Sequence, residues 1–243
     1  MSSAALASQA MPVTYEIKGR VAVVTHDDGK ANVYSIEVLD ELSRALDKSA
    51  ADEGVSALLL AGREGRFSAG FDLAAMTSGD DSMRSLVAAG GRFVAQLLLH
   101  PMPVVVACTG HALAAGALVL LAGDRRVGAA GGYKIGLNEV SIGMPLPVWA
   151  VEVARYRMPT GEFDRIILGD IGGPDAAVGA GFLDEVVAAD AVFERAMEEA
   201  QRLAGLRRGA VSGTKTRARR DTAARMLDRM EEDLASVGRP SVE

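Results

Sequence analysis

The chain of 243 residues has little of several things, and each shortage excludes a class of protein. It has a single cysteine, Cys108, so no intramolecular disulfide can form, and a reducing, cytoplasmic setting fits. With three histidines and that one cysteine, none at ligand spacing, no metal site is expected. Lysine and arginine number 26 against 32 aspartate and glutamate, and a net charge of -6 argues against a general nucleic-acid binder. The apolar runs are all shorter than the ~20 residues that a membrane span needs, so a soluble protein with no membrane partner is expected. Residues 1–11 have no basic start and no apolar core, and they read as a loose N-terminal tail, not a signal peptide. No linker divides the rest, although the C-terminal helices can form a subdomain, and no short-period repeat is present.

What is present is a hydrophobic fraction of 49% with 27 glycines, the composition of a closely packed α/β protein. The stretch from Pro103 to Gly143 is its centre. Val104-Val105-Val106-Ala107-Cys108 reads as a buried strand, and the small-residue run Gly110 to Gly116 as a tight bend. Ala117 to Ala122 reads as a buried helix that stops at Gly123-Asp124. The first N–H groups of a helix have no partner within it and lie at the positive end of its dipole. This bend is therefore either a packing device or a place for an oxygen that becomes an anion. Further on, Glu139 is the one acid in an apolar stretch, and it is either a surface-loop carboxylate or a buried acid with a raised pKa.

The rest of the chain surrounds this centre. Thr14 to Ile17 and Val21 to Thr25 suggest a hairpin. Ser35 caps a helix with Val38, Leu39, Leu42, Ala45 and Leu46 on its apolar face, ending near Ala50. Val55 to Ala61 reads as a buried strand, Gly62 to Leu73 as an aperiodic loop at its carboxyl end, where ligands collect in α/β sheets, and Thr77 to Asp81 as a mobile stretch. Met83 to Leu99 has helical period and is stopped by Pro101 and Pro103. A short helix is expected around Trp149, Val151 and Val153. Another is expected from a Thr160 cap to Gly169, a turn at Gly172 to Pro174, and a brief helix from Pro174 to Gly179. A strand follows at Phe182 to Val187, then a helix Ala191 to Leu203 capped by Asp190, and a last helical segment from about Thr214 to Leu234.

Four segments in order resemble the crotonase (enoyl-CoA hydratase/isomerase) superfamily: Phe67-Ser68-Ala69-Gly70-Phe71-Asp72-Leu73, Gly110 to Asp124, Ile135-Gly136-Leu137-Asn138-Glu139, and Pro174 to Val187. The resemblance implies a spiral of ββα units over about 12–190 and a C-terminal helical region over 191–243, assembling into trimers or hexamers. It also implies a coenzyme A thioester as substrate, in fatty-acid metabolism, with no separate prosthetic group. Carried over residue by residue, it places two oxyanion-hole donors on the backbone N–H of Phe71 and Ala115. The loops through Lys30-Ala31 and through Ser68, Ala69, Gly70 and Asp72 would hold CoA, with Gly116 alongside and Trp149 as acyl-pocket wall. Asp72 would order its own loop.

Of the two glutamates that hydratases of the family use, the second falls on Glu139, while the first position holds Leu118. Hydration asks for a water held and deprotonated and a proton delivered, which two acid/base groups do more readily than one. A shift of a double bond from C3 to C2 needs one base. Ile135 to Glu139 followed by Pro147-Val148-Trp149 also resembles the single-glutamate, mitochondrial-type Δ3,Δ2-enoyl-CoA isomerases. The favoured expectation is thus an isomerase, with a one-glutamate hydratase or a weakly catalytic acyl-CoA-binding protein as alternatives. His111 reads as packing, His26 and His100 as solvent-facing or capping, and Glu152 as part of a solvated helix face. The basic run Arg207, Arg208, Lys215, Arg217, Arg219 and Arg220 reads as a mixed helix surface or a CoA-phosphate contact, with RNA binding a remote third reading.

Overall fold

A computed structural model describes residues 11–238. Its strands are β1 (Val13–Lys18), β2 (Val21–His26), β3 (Val33–Tyr34), β4 (Ala57–Ala61), β5 (Gly65–Ser68), β6 (Gly70–Phe71), β7 (Val104–Cys108), β8 (Gly110–Leu113), β9 (Arg125–Ala129), β10 (Ile135–Gly136), β11 (Ile171–Gly172) and β12 (Glu185–Val187). The helices are α1 (Ile36–Ala51), α2 (Leu73–Ser78), α3 (Asp80–Leu99), α4 (Ala115–Ala122), α5 (Val148–Arg157), α6 (Thr160–Ile167), α7 (Pro174–Gly179), α8 (Val192–Leu203), α9 (Arg208–Leu227) and α10 (Met230–Ala235).

The order β1-β2-β4-β7-β9-β12 forms a six-stranded sheet, antiparallel only at the β1–β2 hairpin. A second sheet has the order β11-β10-β8-β5, and β3 pairs with β6. Successive turns therefore send one strand to the large sheet, the next to a smaller one, and then a helix, which is the expected ββα spiral.

The central strands read as unbroken apolar runs because both faces of the large sheet are covered. Val21, Val23, Ala57, Leu59, Val105, Ala107 and Val127 point to one side, where Val192, Ala196 and Ala200 of α8 meet them at a four-residue spacing. Their neighbours Ala22, Val24, Leu58, Leu60, Val104, Val106 and Cys108 belong to the main core, together with the apolar faces of α1, α3 and α4. Ser35 caps α1 as expected, its Oγ accepting from the Val38 N–H at 3.3 Å. Among the described residues no helix is long and apolar enough to cross a membrane.

Several local expectations are corrected. Gly62 to Leu73 is not a featureless loop: β5 and β6 lie inside it, paired with the distant β8 and β3. Thr77 to Asp81 is shared between the end of α2 and the start of α3. Neither Thr160 nor Asp190 caps a helix with its side chain; Pro159 and Ala191 hold those positions. The last helical segment starts earlier, at Arg208, and is broken at Asp228-Arg229, where Arg229 adopts a left-handed conformation with φ of 57°. The proposed tail falls almost wholly on residues 1–10, outside the described residues.

The basic run is divided in the fold. Lys215 and Arg219 are buried, and both bind Asp124 just after α4: Lys215 Nζ at 2.7 Å from Oδ2 and Arg219 Nη1 at 2.6 Å from Oδ1. Burial alone would raise the Asp124 pKa, but these two cations hold it below the usual carboxylate range. Arg208 donates to the carbonyls of Ala50, Asp52 and Val55. Three of the six charges thus pin α9 to the core, and only Arg207, Arg217 and Arg220 form an exposed surface. Glu152 is also buried, between Arg155 at 2.9 Å and Arg225 of α9 at 2.7 Å, so its helix face meets α9 and not solvent. His26 is 2% exposed, stacked on Tyr34, and His100 stands buried at the C-cap of α3. Burial pushes both imidazoles down, His100 to about 3, so it is held neutral.

Candidate active site

The turn from β8 into α4 is strained. Ala114 has φ of 49° and ψ of -124°, a conformation that L side chains rarely adopt. It is held there by its N–H donating to the Gly136 carbonyl at 3.1 Å. No side chain caps α4, so the Ala115 N–H, the first of the helix, has no partner inside it. At the other end of α4 the Arg157 guanidinium takes the Leu121 and Gly123 carbonyls at 2.9 and 2.6 Å.

Two glycines bring the second segment against this turn. Gly70, with φ of 97°, holds a backbone conformation that strains any L side chain, and a Cβ there would press on Ala114 Cβ at 3.0 Å and on the Leu113 carbonyl oxygen at 3.1 Å. A Cβ on Gly116 would lie 2.7 Å from the Ser68 carbonyl oxygen. The strand that ends in Phe71 is therefore laid directly on the N-terminus of α4. Ser68 is fully buried, its Oγ accepting from the Gly70 N–H at 3.1 Å, which shapes the bend before Phe71.

These segments border a cavity of about 370 Å³. Ala31, Ala69, Phe71, Leu118, Glu139 and Trp149, named from the sequence, all line it. Ala115 is represented there by its neighbour Ala114. The remaining wall is mainly aliphatic, from Val33, Met76, Val87, Ile142 and Met144. Glu139 is the only ionisable residue on the wall among the described residues. It is 8% exposed, and its Oε2 has no hydrogen-bond partner. Loss of water raises its pKa from 4.5 to about 7, against a smaller lowering by the N–H groups of Glu139 and Asn138. The short 3₁₀ turn Val140–Ile142 holds it in place, with the Glu139 carbonyl accepting from Ile142 and Met144 at 3.1 and 3.0 Å.

Lys30, Asp72 and His111 are not on the cavity wall. Lys30 is exposed in the turn after β2, and its N–H donates to Asp28 Oδ1 at 2.7 Å. Asp72 caps α2, its Oδ1 accepting from Ala74 and Ala75 at 2.8 and 3.4 Å, a local ordering role. His111 is spoken for: its Nδ1 accepts from the Lys134 N–H at 3.0 Å and its ring meets Tyr133 edge-on. Sequence reasoning passed over Asn138, which lines the cavity with an unpartnered Oδ1. It also missed the strain at Ala114. A small residue directly before a helix of small residues was the only signal for it.

The fold and sequence have known relatives. A solved enoyl-CoA hydratase/isomerase family protein from Pseudomonas syringae superposes with a TM-score of 0.89 at 36% identity, covering 93% of this chain and 97% of that one. Human mitochondrial enoyl-CoA delta isomerase 1 is 29% identical over 236 residues, covering 93% of this chain and 76% of its own. The crystal structure of human mitochondrial delta3-delta2-enoyl-CoA isomerase superposes with a TM-score of 0.87 at 28% identity, covering 93% of this chain and 90% of that one. A probable enoyl-CoA hydratase of Bacillus subtilis is 34% identical over 126 residues, 51% of this chain and 48% of that protein. The family pattern described as enoyl-CoA hydratase/isomerase matches residues 16–236, and with the ββα spiral and the two segments joined at Gly70, the chain belongs to that family, the crotonase superfamily.

Proposed function

We propose that this enzyme shifts the double bond of a 3-enoyl-CoA to give the 2-enoyl-CoA, with Glu139 as its single base. The observation that carries this reading is the lone carboxyl in an otherwise un-ionised, mainly aliphatic cavity, with Leu118 on the same wall. A pKa of about 7 leaves Glu139 partly ionised near neutral pH, so it can take a proton as carboxylate and return it as acid.

The thioester carbonyl oxygen lies between the N–H groups of Phe71 and Ala115. Glu139 removes a proton from C2, the charge moves onto that oxygen, and the two donors stabilise the dienolate. The protonated Glu139 then delivers the proton to C4, so the product is an isomer and nothing else is consumed. Loss of one such donor typically raises a barrier by ~3 kcal/mol. The CoA portion is held at the rim by the Lys30-Ala31 turn and by the segment from Ser68 to Asp72, with Gly116 seating that segment. The enzyme needs no prosthetic group, and coenzyme A enters only as part of the substrate.

A hydratase is the second reading, because Asn138 brings an unpartnered oxygen to the cavity beside Glu139, where a water could be held. Glu139→Gln tests the base itself: turnover should fall by at least about a hundredfold while acyl-CoA binding persists. Undiminished turnover in that variant would remove Glu139 from the chemistry.

A further inference from the structure

Helix α3 contains two adjacent glycines, Gly90 and Gly91, well inside its span, where glycine is a poor choice for helix stability. Both are buried and neither stands at a turn, so packing must explain them. Gly90 faces the Phe71 ring, whose Cζ would lie 2.3 Å from an added Cβ. Gly91 faces Trp149. An added Cβ would lie 2.9 Å from both Cδ1 and Cγ of the indole and 2.8 Å from Met230 Cε of α10. The indole can thus rest directly on the α3 backbone.

Trp149 also lines the cavity, together with Val87, one turn earlier on α3. Its Nε1 is buried without a hydrogen-bond partner, so packing alone decides where the ring stands. Its helix is held by α10 as well: the Val148 N–H donates to Asp233 Oδ2 at 2.8 Å. The indole touches Gly91 on one side and lines the cavity on the other, so a side chain at position 91 that displaces the ring, rather than the Met230 methyl, changes the space left in the cavity.

We infer that Gly91 is a specificity-determining position: by letting Trp149 lie back against α3 it sets the depth of the acyl cavity and so the longest acyl chain the enzyme accommodates. Gly91 acts through Trp149 and does not touch the substrate itself. The inference rests on the acyl-CoA reading of the cavity, but not on the choice between isomerase and hydratase.

The test is equilibrium binding of saturated acyl-CoA esters from two to sixteen carbons, which no turnover can confuse. Wild-type affinity should rise about fourfold per added methylene until the cavity is full, and then level off. In Gly91→Ala the levelling should come about two carbons earlier, with acetyl-CoA affinity unchanged within about twofold. Trp149→Phe should move it to longer chains, and the double variant should return towards wild type. An unmoved break in Gly91→Ala, or an equal loss at every length including acetyl-CoA, overturns the inference. If Gly91→Ala does not fold, an unmoved break in Trp149→Phe overturns it instead. Failure of the wild type to bind any ester would overturn the acyl-CoA reading and this inference with it, whereas length-dependent binding that ignores Gly91 overturns the inference alone.

Discussion

Glu139→Gln should make the protein more stable at alkaline pH while it removes activity. In the unfolded chain a glutamate loses its proton near 4.5, whereas burial in the folded protein delays that loss to about 7. Between those values the folded state holds a proton that the unfolded chain has released, so unfolding free energy falls by 1.36 kcal/mol per pH unit as pH rises. The contribution is fully present below about 4.5 and lost as pH passes about 7. Over that span the wild type gives up on the order of 3 kcal/mol, and glutamine, uncharged throughout, does not. For a chain of this length each kcal/mol moves Tm by ~2–4 °C, so the variant should melt ~6–12 °C higher relative to wild type at pH 8 than at pH 4.5. Any hydrogen bond of the carboxyl that the glutamine amide fails to recover is an offset common to both pH values, and it cancels from the comparison. Thermal unfolding of both proteins at pH 4.5 and pH 8 reads the effect directly. A Tm difference that does not change with pH would refute the claim that this carboxyl is buried without a charge partner.

On the proposed mechanism the ionised form of Glu139 is the base, so kcat/KM should fall tenfold per unit below about 7 and level off above it, and a rate independent of pH from 5 to 8 would count against Glu139. Asp124→Ala leaves Lys215 and Arg219 buried without their counter-charge and should cost about 3–5 kcal/mol in urea unfolding, whereas a loss below about 1 kcal/mol would mean that those cations reach water. Ala114→Gly removes the side chain from a backbone with φ of 49° and should stabilise the fold by about 1 kcal/mol, with the added flexibility of the unfolded chain already subtracted. Destabilisation in that variant would show that the methyl packs better than the strain costs.

What the sequence made legible follows from where the deciding forces are local. The hairpin, α1, β4 and β7 were readable because their apolar residues repeat at the period of the element or run unbroken through a two-sided sheet, and α4 because it is apolar on every side. Glu139 stood out as one acid among apolar neighbours, and its burial in the cavity wall is what that pattern suggests when the neighbours are inside. The strands β5 and β6 were hidden because each is defined by a partner strand about 35 to 45 residues away in sequence, and pairing leaves no period in so short a run. The charges misread as solvated, Glu152, Lys215 and Arg219, share one cause. Each is buried against a counter-charge from another segment, and nothing local to the sequence announces the partner. Gly90 and Gly91 are the mirror case: the rings they make room for come from β6 and α5.

The most direct test of the single-base isomerase is an ultraviolet assay for the conjugated 2-enoyl thioester, run on purified protein with 3-enoyl-CoA and with 2-enoyl-CoA, each repeated with Glu139→Gln. Absorbance gained from the 3-enoyl ester, none lost from the 2-enoyl ester, and no change with either ester in the variant is the predicted result. Absorbance lost from the 2-enoyl ester at a comparable rate would contradict it and make the enzyme a hydratase, with Asn138 the first residue to examine as holder of the water.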